Sequence, residues 1–62
     1  MRTEYTIKIT DKNGKVSYVT YAKKWAYEHA KDYRQRLTDC KVELFKVVYY
    51  GNSFHHEEKM DF

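Results

Sequence analysis

No proline interrupts this 62-residue chain, glycine occurs only at positions 14 and 51, and cysteine only at position 40. Each scarcity excludes something. A lone thiol cannot close an intramolecular disulfide, so a disulfide-stapled secreted scaffold is ruled out and a reducing, cytoplasmic setting is expected. Without proline, and with two isolated glycines, the chain has no composition for a linker or a second domain. The same two glycines are too far apart to form a phosphate-cradling loop, and no Cys-x-x-Cys or His-Glu-x-x-His spacing occurs. No apolar run approaches the roughly 20 residues that span a bilayer. The opening MRTEYTIKIT also lacks a signal-peptide core, so no membrane association is expected.

A chain of this size buries only about 60% of the surface its unfolded form exposes, which makes its stability marginal. Eleven aromatics, seven of them tyrosine, supply large buried areas from few residues. A homodimer is a second route to the missing burial. The net charge of +3 is unevenly placed. Residues 1–36 hold nine Lys/Arg against four Asp/Glu, a net of +5, whereas residues 37–62 hold three against five, a net of −2. Such asymmetry suits an anionic partner for the first part, yet it falls short of a dedicated duplex-DNA protein.

Local patterns define the fold. TEYTIKIT alternates, with Tyr5, Ile7 and Ile9 on one face, as in a half-buried strand. DKNGK supplies an Asn13-Gly14 hairpin turn, and VSYVTY returns as a second strand. The period then changes: Ala22, Trp25, Ala26, His29, Ala30, Tyr33 and Leu37 share an arc of roughly 140° on a helix. This predicts a helix over 21–37, with Thr20 as N-cap, Trp25 as its main core anchor and His29 at the core or its boundary. Asp32 and Arg36 are spaced for an i,i+4 ion pair. CKVELFKVVYY reads as a third strand ended by Gly51-Asn52. The expected architecture is α+β: a ββαβ domain over residues 1–51, three antiparallel strands in order 2-1-3, one helix on one face, and a polar C-terminal tail at 52–62.

The third strand carries apolar residues on both faces. Val42, Leu44, Val48 and Tyr50 share one face, and Phe45, Val47 and Tyr49 the other. Only one face can meet the helix, and the pattern leaves open which. Phe45, Val47 and Tyr49, or their alternates on the other face, form a candidate partner-binding surface together with Tyr18 of the second strand. There the hairpin register decides whether Val19 and Tyr21 or Val16 and Tyr18 are buried. If the third strand lies at the sheet edge, that edge adds a second docking route. On the helix, Lys23, Lys24, Tyr27, Lys31 and Arg34 form a basic stripe that could contact phosphates and stack on a base, the alternative nucleic-acid reading.

The closing FHHEEKMDF holds four potential ligands, His55, His56, Glu57 and Glu58, but adjacent side chains on a strand point to opposite faces. His55 with Glu58 is the best local pair. Two ligands without supporting groups do not make a metal centre, and neither a metal nor a cofactor is expected. A frayed, solvated end suits this composition, with Phe54 able to dock it onto sheet aromatics. His29 and Cys40 lack a third orienting group and an oxyanion site, so no catalytic residue is assigned and no enzymatic activity is expected.

The hairpin TIKITDKNGKVSYVTY and the helix AKKWAYEHAKDYRQRL give a layout that resembles the small accessory proteins of phages and other mobile elements. That resemblance implies a non-enzymatic module that binds a host or defence protein and inhibits or regulates it. It is a likeness of layout and carries over no functional residue.

Overall fold

The structure, a computed structural model, describes residues 1–62 apart from the side chain of His55. Strands β1 (Arg2–Thr10) and β2 (Val16–Tyr21) are followed by helix α1 (Lys23–Arg36), then by β3 (Lys41–Tyr50) and β4 (Ser53–Met60). All pairings are antiparallel, in the order β2-β1-β3-β4. The expected 2-1-3 core is present, but the sheet has four strands rather than three.

The first hairpin closes differently from an Asn-Gly turn with two positive φ angles. Only Gly14 has positive φ, at 85°. Asp11 organises the loop: its carbonyl accepts from Gly14 N (3.0 Å), and its Oδ1 accepts from the backbone N–H groups of Asn13 (2.8 Å) and Lys15 (2.9 Å). This is a local aspartate turn ending on one left-handed glycine.

The core lies where the helix crosses the sheet. Ile7 and Leu44, opposed in the β1–β3 ladder, are fully buried beneath Ala26 and Ala30. Tyr5 and Val42 complete this cluster, with Val19 and Tyr21 of β2 on the same face. The hairpin register thus turns Val19 and Tyr21 inward and leaves Val16 and Tyr18 exposed.

Two helix expectations are corrected. Thr20 remains in β2, its hydroxyl 3.2 Å from that of Thr6, because strand pairing runs through Tyr21. Ala22 occupies the N-cap without a side-chain hydrogen bond, and the helix starts directly after the strand. Trp25 is 53% exposed rather than a core anchor. The apolar arc is wider than the contact the sheet offers, and close approach selects the small Ala26 and Ala30, leaving Trp25 about 100° to one side. His29 is half-buried at the boundary, its ring stacked on Tyr21 at 4.3 Å. The Asp32–Arg36 pair forms at 3.0 Å.

The largest departure is the end of the chain. Residues 53–60 are a strand, not a solvated tail. Gly51, with φ of 63°, opens a two-residue loop between paired Tyr50 and Ser53, the position a type II′ hairpin reserves for glycine. Cross-strand partners then hold β4: Lys59 reaches Glu43 at 3.4 Å, and Phe54 meets Tyr49 edge-on. Beyond β4, Phe62 lies under the Arg34 guanidinium at 3.7 Å, and Arg34 Nη1 donates to the Phe62 carbonyl at 2.8 Å. The polar strand is therefore fastened at both ends.

Candidate functional site

β1 and β3 pair centrally, so alternate residues of each are presented to the sheet face away from the helix. Three cross-strand rows define that open face near β3. Thr6, Phe45 and Lys59 form one; Glu4, Val47 and Glu57 the next; Arg2, Tyr49 and Phe54 the last. The last row is a contiguous polar-aromatic ladder. The Arg2 guanidinium sits 4.7 Å from the Tyr49 ring centroid and 3.3 Å from a Glu4 oxygen, and the Phe54 ring meets Tyr49 at 6.4 Å and 78°.

Phe45, Val47 and Tyr49 do share the face opposite the helix. Their exposures differ: Phe45 and Tyr49 are half-buried, whereas Val47, flanked by Glu4 and Glu57, is only 8% exposed. Val47 therefore supports its neighbours and presents little area. Tyr18 is 65% exposed on the same face but stands in a row with Lys8 and Glu43, with β1 between it and the β3 residues. Phe54, 60% exposed, also belongs to this surface, which sequence reasoning missed because the end of the chain reads as polar. The Gly51-Asn52 pair was the signal: a Gly-Asn dipeptide between two extended runs is a hairpin turn. Phe54 joins Tyr49 as expected of a docking residue, yet it extends the aromatic surface instead of hiding it.

The third strand is not an edge. β4 pairs with its residues Leu44–Tyr50, so that stretch of β3 offers no edge for docking.

The basic stripe is only partly assembled. Lys23, Lys24 and Lys31 are exposed, with the Lys24 ammonium 5.6 Å from the Trp25 ring centroid. Tyr27 is half-buried against the core, its ring 6.4 Å from Tyr5, and Arg34 is engaged by Phe62. The stacking residue of that reading thus faces inward, and its best phosphate ligand is already occupied.

A groove of about 440 Å³ runs beside the last residues and is lined by Cys40, Glu43, Lys59 and Phe62 among others. Glu43 draws both Lys41 (3.9 Å) and Lys59 (3.4 Å), so its charges answer one another. Among the described residues no group of three or more His, Cys, Asp or Glu side chains converges as a metal site, and the His55–Glu58 pairing lies outside them. No helix among the described residues is long and apolar enough to cross a membrane.

One hydroxyl–hydroxyl contact is built into the helix–sheet junction. The Tyr21 and Tyr33 hydroxyls are 2.9 Å apart, and this hydrogen bond, followed by burial and the Tyr33 charge, raises the Tyr21 pKa above its ordinary value near 10. A raised folded-state value means that the pair's contribution is complete below the ordinary phenol value and is lost as pH rises through the raised one. Tyr33→Phe should return Tyr21 toward ordinary titration, measurable by NMR on tyrosine Cζ; an unchanged midpoint would show that the hydroxyl contact does not set it.

No protein-family model, curated protein or solved structure matches this chain.

Proposed function

We propose that this chain is a non-enzymatic protein-binding module that engages a partner protein through the open face of its sheet. The observation that supports this most is the Phe45, Tyr49 and Phe54 surface, which the helix does not cover and which a supporting Val47 and the Arg2–Tyr49 contact hold in place. An aromatic centre with a charged rim of Arg2, Glu4, Glu57 and Lys59 has the composition of a protein interface. The resemblance of its sequence layout to phage accessory proteins would extend this proposal to an inhibitor or regulator of a host protein.

Affinity capture from the source organism's lysate tests it, with wild-type bait beside a Phe45→Asp/Tyr49→Asp variant. Aspartate at these positions stands beside Lys59 and Arg2 respectively, so the variant's sheet can be verified by circular dichroism before use. A partner retained by wild type and lost by the folded variant supports the reading; equal recovery contradicts it.

A further inference from the structure

β2 is the unguarded edge of the sheet. Among the described residues it pairs only with β1, so its other side is open to a further strand. Natural edges are blunted by charge, proline, a bulge or a cover, because an open edge templates pairing. The opposite edge follows that rule: β4 carries Glu57, Glu58 and Lys59, and a register shift falls between Val48 and Tyr49 of its ladder with β3. β2 does not. VSYVTY contains no charge and no proline, and its ladder with β1 is regular throughout.

Apolar surface gathers along the same margin. Val16 and Tyr18 are exposed on β2 itself. Trp25, also exposed, lies one helical turn before His29, which stacks on Tyr21 at the end of β2. Of the six exposed large hydrophobics among the described residues, two, Val16 and Tyr18, therefore lie on this edge strand, and a third, Trp25, follows it by four residues in the first turn of the helix.

We propose that β2 is a self-association strand: two copies of this chain pair β2 to β2, antiparallel, about a two-fold axis perpendicular to the sheet. Directly opposed residues in such a pair lie on the same sheet face, and the two-fold keeps each copy's faces aligned. Only registers centred on a residue are then allowed, here Tyr18 or Val19. Centring on Val19 brings Lys15, just before the strand in one copy, toward Lys23, at the helix start just after the strand in the other. Centring on Tyr18 opposes Val16 to Thr20, Ser17 to Val19, and Tyr18 to itself, with no charge facing a like charge. The Tyr18 register is the one the sequence favours.

Charge also distinguishes the occupant. An uncharged strand offers a foreign segment no electrostatic selection, whereas against its own copy it meets neither repulsion nor an unpaired charge. The need for added burial points the same way, since seven hydrophobic residues are buried among the described residues and the lone Cys40 forms no disulfide. Both helices would lie on one side of the joined sheet and both open faces on the other, so Phe45, Tyr49 and Phe54 stay accessible. Self-pairing and partner binding can therefore fail separately.

Sedimentation velocity over a dilution series tests this, with emission from Trp25, the one tryptophan, as a second readout. Two variants share a lysine at position 16: Val16→Lys/Thr20→Lys and Val16→Lys/Thr20→Glu. Within a copy these positions directly oppose Thr10 and Thr6, with Lys8 diagonal to both, so circular dichroism and melting of each variant at a concentration where it is monomeric separate effects on its own sheet from effects on pairing. Across the two-fold, the first opposes like charges twice and the second opposite charges twice. Wild type should dimerise as concentration rises, with the Trp25 emission moving to the blue. The Lys/Glu variant should dimerise more tightly than the Lys/Lys variant by about tenfold or more. A wild type that is monomeric throughout, or two variants that associate equally, would overturn the proposal.

Discussion

Leu44→Ala should remove most of this protein's stability, while Phe45→Ala, one residue along, should leave the fold standing. Among the described residues Leu44 and Ile7 are the only large side chains that are fully buried, and Leu44 lies between Ile7 and Met60 beneath the helix alanines. Truncating such a leucine costs about 2–5 kcal/mol, through lost transfer energy and the cavity left behind. A domain of this length has roughly 3–9 kcal/mol in total. The melting midpoint should therefore fall by about 10 °C or more, or cooperative melting should vanish. Phe45 faces the other way and is half-buried, so its truncation should cost roughly 1 kcal/mol. Thermal melts of both variants check this; equal losses would mean that β3 does not divide its residues between a core face and a binding face.

Removing residues 52–62 should be as damaging, and in a different way. The deletion takes away β4 together with Met60 and Phe62, which pack against the core, and leaves Arg34 without its aromatic and carbonyl contacts. Partial burial of those two side chains is worth about 2–4 kcal/mol together. It also converts β3, ten residues rich in valine and aromatics, from an interior strand to an open edge. An exposed apolar edge of that kind is an aggregation site. The truncated chain should scatter light and lose its sharp melt. A monomer that melts like the full chain would show that the last residues are dispensable.

The parts of this fold that could be read from sequence were those with a side-chain period. Tyr5, Ile7 and Ile9 alternate, and Ala26, Ala30 and Tyr33 recur at helical spacing, and each of these elements formed. β4 has no such period: SFHHEEKM places Met60, Glu58 and His56 on one face, so its hydrophobicity marks no core side. Its order comes from backbone pairing, a Gly51 turn and cross-strand pairs whose partners are set only once β3 is placed. Trp25 was misplaced for the opposite reason. Its position fits the apolar arc, but the distance between helix and sheet decides which part of that arc is used, and alanines permit the closest contact. For the candidate site, the shared face of Phe45, Val47 and Tyr49 followed from their spacing. The covering of Val47 and the addition of Phe54 did not, because both depend on a strand that the composition disguises.

The two proposals assign the open face and the β2 edge to different roles. The edge, which is uncharged, is proposed to pair with its own copy, and the face, aromatic with a mixed-charge rim, to meet a foreign surface. Tyr18 touches both, which makes it a poor residue for separating them, and Phe54 touches only the face.

Phe54 therefore gives the most direct test of partner binding. With the captured partner purified, its affinity should be measured by titration calorimetry for wild type, Phe54→Ser and Lys31→Ser. An exposed aromatic at the centre of an interface typically loses about 2 kcal/mol or more on truncation, a weakening of roughly 30-fold, whereas a residue outside the interface loses almost nothing. The open-face account predicts the large loss for Phe54→Ser and wild-type affinity for Lys31→Ser. Unchanged binding by Phe54→Ser with a loss in Lys31→Ser would contradict it and move the interface to the helix.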